Sequence, residues 1–364
     1  RARAVQLPAW NEALGLPRPW DQQWSMRMQQ IVAFETDLLE YEDLFDGNQV
    51  VDAKVESLKA SARYELETIE TQGGALNAIE YMKSRLVESN TDRLQNIENN
   101  YTTVVGVNKF TNTEKSPLVS GDGGIMVVDP SVEKDQIDRL NLWRSKRDQK
   151  LVNKALFKLK KAALDGQNIM PSSIEAAKAG ATTGEWAQEM RNIYGEYRGP
   201  TGVATGVSNK TDGLEELRSA VDAVSDKLGE RLKFLIGKPG LDGHSNGAEQ
   251  IASRARDCGM KIEYEGIRLT PQELVETVKA TKAHVVGLSI LSGSHIPLVQ
   301  DMVSLLAKEG LTKIPIVVGG IIPEEDKIKL LKMGVSKVYT PKDFEMNTIM
   351  MDIVDLAEPR EIAA

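Results

Sequence analysis

LKFLIGKPGLDGHSNG, at residues 232–247, decides the fold, because an apolar run typical of a buried strand passes into a glycine-rich loop and then into a helical pattern. Four more apolar runs follow it: MKIEYEG (260–266), HVVGLSI (284–290), KIPIVVGG (313–320) and SKVYT (336–340). Amphipathic helical patterns lie near residues 247–257, 272–282, 296–309 and 323–333. Strands that alternate with helices indicate a parallel sheet covered on both faces. The pattern predicts an α/β domain over residues 229–360, a flavodoxin-like doubly wound sheet of five parallel strands.

In a doubly wound sheet, ligands bind past the carboxyl ends of the strands. The loop after the first strand carries an amine, a carboxylate and an imidazole, on Lys238, Asp242 and His244. Since Asp242 and His244 are two residues apart, the carboxylate can lie behind the ring, where it fixes the tautomer and raises the basicity of a metal-bound histidine. Lys238 can keep that carboxylate ionised, and the glycines of the loop allow the backbone to approach a bulky ligand. A lone D-x-H is nevertheless more typical of an ordinary surface loop.

Two further signals lie at the ends of neighbouring strands. The third strand finishes in SILSGSH at residues 289–295, and the fourth finishes in Gly319 and Gly320. Taken alone, each signal is weak, because Gly-Gly after a strand is more often a plain turn and Ser289 can bond the backbone. Together, the small residues at these ends predict a deep slot between the sheet and the helices, in a crevice that faces the His244 loop.

The motifs D-x-H-x-x-G, S-x-L and G-G, in this order after the first, third and fourth strands, resemble the cobalamin-binding signature of adenosylcobalamin-dependent mutases and methionine synthase. The matching residues are Asp242, His244, Gly247, Ser289, Leu291, Gly319 and Gly320. The resemblance implies adenosylcobalamin as the cofactor, with His244 bound to cobalt in place of the cofactor's own benzimidazole. A neutral imidazole is a suitable ligand for such a metal. Asp242 is then expected to orient His244, and Lys238 to support Asp242, which makes these three the predicted catalytic residues.

The same resemblance predicts how the rest of the cofactor is held. The predicted cofactor-binding residues are Asp242, Gly243, His244, Ser245, Gly247, Ser289, Leu291, Gly293, Gly319, Gly320, Tyr339 and Thr340. The freed nucleotide tail is expected to thread the slot, with Tyr339 and Thr340 capping it at the end of the fifth strand. His295 is expected near the corrin rim or in packing. His284 is expected to be structural, and Cys258 to be a small core residue.

The residues around these motifs indicate which class of cobalamin-binding proteins the chain resembles most. K-P-G-L-D-G-H, S-G-S-H-I-P-L-V and G-G-I-I-P-E-E-D resemble acyl-CoA mutases of the methylmalonyl-CoA mutase type far more than methyltransferases. Residues 73–110 resemble the helices after the last strand of that family's substrate barrel, and residues 186–203 resemble the segment that leads into its cobalamin domain. The first 50 residues and residues 112–130 are most similar to the ethylmalonyl-CoA mutase subgroup. The resemblance implies a radical isomerisation of the carbon skeleton of an ethylmalonyl-CoA or methylmalonyl-CoA type substrate.

Residues 1–111 are rich in helix formers and poor in strand patterns. Helices are predicted over residues 22–46 and 50–98, with a break at Gly73-Gly74, and TTVVGV at 102–107 is a short strand candidate. The resemblance implies that this region is the trailing helical part of a TIM-type barrel whose remainder lies outside the chain. We therefore expect the chain to be a C-terminal fragment, and a separately encoded subunit is the alternative. The isolated chain is expected to bind the cofactor without turning over substrate.

Residues 112–228 are predicted to form a partly helical linker between the two regions. Turn residues mark 112–130 as a loop, a charged helix is predicted over 134–165, and two short helices are predicted within 171–196. A stretch rich in Gly, Pro, Thr and Ser at 198–213 completes this linker.

Composition limits the partners of the chain. The net charge of −8 argues against a nucleic-acid or anionic membrane partner, and no run of about 18 apolar residues exists for a bilayer span. The start of the chain lacks the apolar core of a secretory leader, and Cys258 as the only cysteine excludes an intrachain disulfide and a cysteine-cluster metal site. A soluble cytoplasmic protein is therefore expected. By resemblance, its partners are an acyl-CoA substrate bound through the absent barrel, a second copy in a homodimer, and a GTPase chaperone that loads the cofactor.

Two other functions remain open. A corrinoid methyl carrier of a methyltransferase shares D-x-H-x-x-G, but a compact helical cap domain is expected before it. A non-catalytic cobalamin sensor or structural flavodoxin-like module is the other possibility. A sensor usually carries a nucleic-acid-binding or signalling domain, and neither a basic face nor a helix-turn-helix pattern is visible in the sequence.

Overall fold

The computed structural model describes residues 5–112, 114, 126, 128–196 and 213–359. Two compact units are present: Arg1–Met126 together with Pro200–Ala364, and Val127–Gly199. Most of the loop predicted at 112–130 and of the stretch at 198–213 lies outside the described residues. The predicted domain boundaries at 111/112 and 228/229 stay a prediction.

The first unit begins with the helices α1 (Pro19–Phe34), α2 (Gln49–Thr71) and α3 (Ile79–Glu98). The predicted break between α2 and α3 is confirmed, because Gly73 and Gly74 take positive φ values of 91° and 87°. The helix predicted over 22–46 is wrong at its C-terminal end, since α1 stops at Phe34. The chain then runs through turns until the side-chain oxygen of Asn48 caps α2.

The strand predicted at TTVVGV is also wrong. Here the chain turns at Gly106, which has a φ of 78°. The Asn108 side chain accepts a hydrogen bond from Val104 N at 2.8 Å and donates one to the Ile97 carbonyl oxygen at 2.8 Å. β-Branched residues favour a strand where a partner strand lies alongside them. In this segment the Asn108 amide supplies the hydrogen bonds instead.

Much of the apolar surface of α1 and α2 faces solvent. Every residue of α2 is at least partly exposed. The exposed apolar side chains in this region include Ile31, Phe34, Leu38, Leu39, Leu58, Tyr64 and Leu66. Much of the amphipathic pattern that predicts these helices is therefore not buried within the described residues. Across the same ranges, no helix combines the length and the apolar character that crossing a membrane requires.

The second unit contains the helices α4 (Pro130–Lys146), α5 (Gln149–Leu164), α6 (Met170–Ala179) and α7 (Thr183–Tyr194). The single helix predicted over 134–165 is wrong, because Asp148 starts a new helix. Its Oδ1 accepts hydrogen bonds from Lys150 N at 2.9 Å and from Leu151 N at 3.2 Å. The two short helices predicted within 171–196 are confirmed, and Gly180, with a φ of 94°, ends the first of them.

The remainder of the first unit is a doubly wound domain. Its strands are β1 (Lys233–Gly237), β2 (Lys261–Tyr264), β3 (Val285–Ile290), β4 (Ile316–Gly320) and β5 (Lys337–Tyr339), all parallel, in the order β2-β1-β3-β4-β5. Its helices are α8 (Leu214–Leu228), α9 (Asn246–Asp257), α10 (Pro271–Thr281), α11 (His295–Lys308), α12 (Glu324–Lys332) and α13 (Met346–Ala357). The predicted flavodoxin-like sheet is confirmed. Because the strand order reverses at β1, the carboxyl ends of β1 and β3 border the switch point, where ligands bind in this fold.

The central strands β1, β3 and β4 are mostly buried, because their apolar residues alternate between two cores. Phe234 and Ile236 of β1 point into a core shared with α8, α9 and α13. Leu235, between them, points into the other core, which is shared with α10, α11 and α12. Helix α8 lies within the predicted linker, yet it packs on the sheet. The α8 side chains in this core are Leu214, Leu217, Val221 and Val224.

Two glycines at strand ends are required by close packing. A Cβ on Gly237 would overlap with the side chain of Leu274, and a Cβ on Gly320 would overlap with the carbonyl oxygen of Ile290. Glycine at these positions therefore lets α10 approach the end of β1 and lets β4 approach the end of β3. Both contacts shape the carboxyl edge of the sheet.

Candidate functional site

The loop between β1 and α9 is fixed at its base. Gly240 N donates to the Leu269 carbonyl oxygen at 2.9 Å, and Leu269 N donates to the Lys238 carbonyl oxygen at 3.2 Å. These bonds extend the sheet pairing beyond Gly237, along the segment that precedes α10. The second half of the loop then carries the predicted ligand residues past the carboxyl edge of the sheet.

Lys238, Asp242 and His244 meet in one chain of polar contacts. Lys238 Nζ lies 3.2 Å from Asp242 Oδ2, and Asp242 Oδ1 lies 2.7 Å from His244 Nδ1. The His244 backbone N–H also donates to Asp242 Oδ1, at 3.0 Å. Because a carboxylate accepts hydrogen bonds, Nδ1 carries the proton of the neutral ring and Nε2 keeps its lone pair. The ring is 84% exposed, so Nε2 is open to a ligand.

The Lys238 side chain lies at the switch point, between the loop that follows β1 and the end of β3. Its side chain is 0% exposed. Its Nζ donates to the Ser289 carbonyl oxygen at 3.0 Å and lies 3.3 Å from Ser289 Oγ. Burial lowers the pKa of Lys238, while the charge of Asp242 and the hydrogen bond to it act in the opposite direction. The buried amine therefore ties the end of β3 to the loop that follows β1.

Asp242 is held from several sides. Its side chain is 6% exposed, and Oδ2 accepts a hydrogen bond from Leu291 N at 3.2 Å as well as one from Lys238. Burial raises the pKa of Asp242, but the hydrogen bonds from His244 and the charge of Lys238 outweigh it and lower that pKa to about 2. The carboxylate is therefore ionised at neutral pH, and it holds the proton on His244 Nδ1.

Open space lies beside the end of β4. Ser289, Gly319 and Tyr339 pair with one another across β3, β4 and β5. Paired residues of neighbouring strands point to the same face of a sheet, and Tyr339 packs on the face that α9 and α13 cover. A Cβ on Gly319 would meet no heavy atom of the described residues within 4 Å. The space at Gly319 is therefore on the α9 and α13 side, between Ser289 and Tyr339.

Other predicted cofactor residues in the His244 loop are accessible. Gly243 and Gly247 are exposed, and Ser245 is half-buried. A Cβ on Gly247 would meet no heavy atom of the described part of the chain within 4 Å, and a Cβ on Gly243 would first meet Arg268 Nη2, at 3.6 Å. The loop therefore leaves room for a bulky group next to the imidazole.

Gly293 and Thr340, in contrast to the glycines of the His244 loop, are in close contact with other parts of the chain. A Cβ on Gly293 would overlap with the carbonyl oxygen of Leu14, so the N-terminal segment lies directly against the loop that follows β3. Thr340 closes a turn, because its N–H and Oγ1 both donate to Asp343 Oδ2, at 2.7 and 3.0 Å. The predicted roles of Gly293 and Thr340 in cofactor binding stay a prediction.

The other histidines and the cysteine serve packing. His295 is 3% exposed, and its Nε2 lies 2.9 Å from Asp326 Oδ2. His284 Nδ1 accepts a hydrogen bond from Lys233 N at 2.9 Å, at the amino end of β3. Burial lowers the pKa of His284 and raises that of Cys258 to about 11. The core position of Cys258 is confirmed, and the hydrogen-bonded positions of His295 and His284 agree with the packing alternative and the structural role predicted for them.

An ion pair close to the loop was not predicted from the sequence. Lys83 Nζ of α3 lies 2.9 Å from Glu249 Oε1 of α9, and their side chains are 19% and 8% exposed. Glu249 lies in the first turn of α9, where the helix dipole favours a carboxylate. No local sequence pattern predicts this ion pair, because Lys83 and Glu249 lie far apart in the sequence.

Replacing Lys83 with methionine is expected to lower the free energy of unfolding by about 1–3 kcal/mol, because Glu249 stays buried without this partner. Urea denaturation followed by circular dichroism measures the change. Lys59→Met is the matched control, since Lys59 and its partner Glu56 are 52% and 64% exposed. The control should cost less than about 0.5 kcal/mol. Equal losses for the two substitutions would contradict the prediction.

An imidazole backed by a carboxylate at the switch point of a doubly wound sheet, beside open space at a neighbouring strand end, fits a cobalamin-binding domain. Residues 232–342 match the family model "B12 binding domain", which confirms cobalamin as the predicted cofactor. Residues 2–196 match the family model "Methylmalonyl-CoA mutase". The chain therefore belongs to the methylmalonyl-CoA mutase family, and the predicted resemblance to cobalamin-dependent acyl-CoA mutases is confirmed.

Curated relatives agree with this membership. The chain is 64% identical over 364 residues to the ethylmalonyl-CoA mutase of Cereibacter sphaeroides, with 100% of this chain and 56% of that protein covered. It is 56% identical over 361 residues to the ethylmalonyl-CoA mutase of Methylorubrum extorquens, with 98% and 52% covered. It is 30% identical over 364 residues to the methylmalonyl-CoA mutase of Escherichia coli, with 97% and 49% covered. The chain thus spans about half the length of the curated relatives it matches.

Proposed function

We propose that this chain is the cobalamin-binding portion of a radical acyl-CoA mutase that isomerises the carbon skeleton of an ethylmalonyl-CoA or methylmalonyl-CoA type substrate. The observation that carries the proposal is the exposed ring of His244, whose Nδ1 lies 2.7 Å from Asp242 Oδ1 and whose Nε2 is open. The names of the relatives, ethylmalonyl-CoA mutase and methylmalonyl-CoA mutase, support the substrate class.

The residues of the site fit adenosylcobalamin. A neutral imidazole nitrogen on an exposed loop is a suitable cobalt ligand. Gly247 leaves the backbone after that residue open to a macrocycle, and Gly243 before it is exposed, with Arg268 Nη2 at an ordinary contact distance of 3.6 Å from where a Cβ would lie. The space at Gly319, between Ser289 and Tyr339, is where the nucleotide tail would lie.

Each residue in the chain of contacts has a separate task. His244 would hold the cobalt through Nε2, Asp242 keeps the proton on Nδ1 and the ring in place, and Lys238 balances the charge of the carboxylate inside the protein. When bound, adenosylcobalamin supplies a weak cobalt–carbon bond whose homolysis starts radical chemistry that amino-acid side chains do not provide. The protein contributes orientation and electrostatics.

The substrate and the partners belong to the same proposal. The acyl-CoA would bind through barrel residues outside this chain. A homodimer, a GTPase chaperone that loads the cofactor and a cytoplasmic location follow from the family resemblance. The match of residues 2–196 to the mutase family favours this proposal over a corrinoid methyl carrier or a non-catalytic module.

Electron paramagnetic resonance of the chain loaded with cob(II)alamin tests the cofactor binding. The nitrogen splitting should come from the protein, so that labelling the histidines with nitrogen-15 changes a triplet to a doublet. A nitrogen splitting that stays a triplet after the histidines are labelled would contradict the proposal.

The activity is tested on a fusion protein, in which the chain is joined to the part of the C. sphaeroides relative that it does not cover. The acyl-CoA isomers would be followed by mass spectrometry. Conversion of neither ethylmalonyl-CoA nor methylmalonyl-CoA would contradict the proposed reaction.

Filling the space at Gly319 with leucine is expected to weaken cobalamin binding about 100-fold while the fold survives. A Cβ at this position meets no described neighbour within 4 Å, so the free energy of unfolding should change by less than about 1 kcal/mol. The longer side chain would occupy the volume of the nucleotide tail. Isothermal titration calorimetry with hydroxocobalamin and with diaquocobinamide, which lacks the tail, measures the effect. Cobinamide affinity should change by less than about threefold.

Gly184→Leu in α7 is the matched control for this substitution. A Cβ on Gly184 also meets no heavy atom of the described residues within 4 Å, and Gly184 belongs to the other compact unit. The control should leave both affinities unchanged. Wild-type cobalamin affinity in Gly319→Leu would mean that the tail lies somewhere else.

A further inference from the structure

Tyr339 ends β5 with its hydroxyl bound to a carboxylate of α13. Tyr339 OH donates to Asp352 Oδ2 at 3.0 Å, while Lys337 Nζ lies 2.9 Å from Asp352 Oδ1. The Asp352 side chain is 22% exposed and the Lys337 side chain is 47% exposed. Asp352 therefore uses one oxygen for the phenol and the other for a cation near the surface.

The hydrogen bond to Asp352 restricts the Tyr339 ring. Burial, and then the hydrogen bond to Asp352, raise the pKa of Tyr339, so its hydroxyl is a donor at neutral pH. A charged acceptor makes this bond stronger than one to a neutral group. Because the bond is at the far end of the side chain, it fixes the direction in which the ring points.

The restricted ring borders the space at Gly319. Gly319 and Tyr339 are paired in the register of β4 and β5, so they face the same side of the sheet. Tyr339 is only half-buried, although it packs against the core under α13. An aromatic wall beside open space suits a flat heteroaromatic ring, which can pack against its face or its edge.

We propose that Asp352 is a positioning residue that holds Tyr339 as the aromatic wall for the heteroaromatic base of the cofactor's nucleotide tail. The inference rests on the proposed function, because the tail must enter the space at Gly319. Asp352 acts through the Tyr339 hydroxyl and not by touching the tail. Lys337 binds the other carboxylate oxygen and takes no part in holding the ring. Without Asp352, the ring is free to turn into the volume that the base needs.

The affinity of the full 364-residue chain for two ligands tests this role. Hydroxocobalamin and diaquocobinamide share the corrin ring and the cobalt but differ in the tail, so the ratio of their affinities reports on the tail. Asp352→Ala is expected to lower the preference for cobalamin about tenfold, with cobinamide affinity unchanged. Tyr339→Phe keeps the ring but loses the bond, and it should lower the preference by a similar factor. The double variant should lose no more than either single variant, since both remove one interaction.

Lys337→Met is the matched control, because it removes the other partner of Asp352 and leaves the bond to Tyr339. Its preference for cobalamin should stay within about twofold of wild type. An unchanged preference in Asp352→Ala, an equal loss of both affinities, or losses that multiply in the double variant would overturn the inference. A wild-type chain that binds neither ligand would instead contradict the proposed function. Thermal melting followed by circular dichroism establishes that each variant is folded.

Discussion

Replacing His244 with alanine is expected to abolish the protein-derived nitrogen splitting of bound cob(II)alamin and to weaken cobalamin binding roughly 1,000-fold. The substitution removes Nε2, the atom proposed to bind cobalt. Outer partners of a metal-bound histidine contribute roughly 10–100-fold to metal affinity, and the ligand itself should contribute more. Because the ring is 84% exposed, the free energy of unfolding should change by less than about 0.5 kcal/mol.

His284→Gln is the control for this loss, because it removes the imidazole at the amino end of β3 and can keep an acceptor for Lys233 N. Its spectrum should retain the splitting. Free imidazole added to His244→Ala should restore part of the binding, since the rest of the site is intact. A His244→Ala chain that keeps the splitting of the wild type would refute the ligand assignment.

Lys238→Met should cause the largest loss of stability, about 3–5 kcal/mol in the free energy of unfolding. Lys238 is 0% exposed and Asp242 is 6% exposed, so the substitution leaves a buried carboxylate without its cation. The Ser289 carbonyl oxygen also loses a donor that lies 3.0 Å away. Methionine is similar to lysine in volume, so the loss would report on charge and hydrogen bonding and not on a cavity. Urea denaturation measures it.

Lys261→Met on β2 is the matched control for Lys238→Met. Lys261 is 56% exposed and lies 3.6 Å from Glu263, so its removal should cost less than about 0.5 kcal/mol. Adding Asp242→Asn to Lys238→Met removes the buried charge and should recover more than about 1 kcal/mol of the loss. Wild-type stability in Lys238→Met would show that Asp242 does not depend on this amine.

The doubly wound sheet can be predicted from the sequence, because each strand is a short apolar run and the helices between the strands carry their own signals. Thr270, for example, caps α10 in a capping box with Glu273, and Pro271 is its first residue. The candidate site can be predicted for a related reason. Polar residues that directly follow a buried strand, such as Lys238 and Asp242, have no role in the core pattern and are placed at the strand ends by the topology.

Other features depend on parts of the chain that are far apart. TTVVGV has a high preference for strand, but no strand of the described residues pairs with it beyond the isolated bridge of Val105 to Lys109, so local hydrogen bonds decide its turn. The break at Asp148 lies inside a continuous helical pattern, and a cap there is one of several arrangements that the pattern allows. The bond between Tyr339 and Asp352 requires α13 to pack against β5. No sequence motif predicts the packing of α13 against β5, so this hydrogen bond can be identified only in the folded structure.

Helix α8 has a practical consequence for anyone who wishes to graft the cobalamin module onto another protein. Its apolar side chains close one side of the sheet, and burying each of them contributes about 1.5–3 kcal/mol. A shortened chain that begins at residue 229 would expose this surface and become prone to self-association. A portable module should therefore start no later than Gly213, the residue before α8.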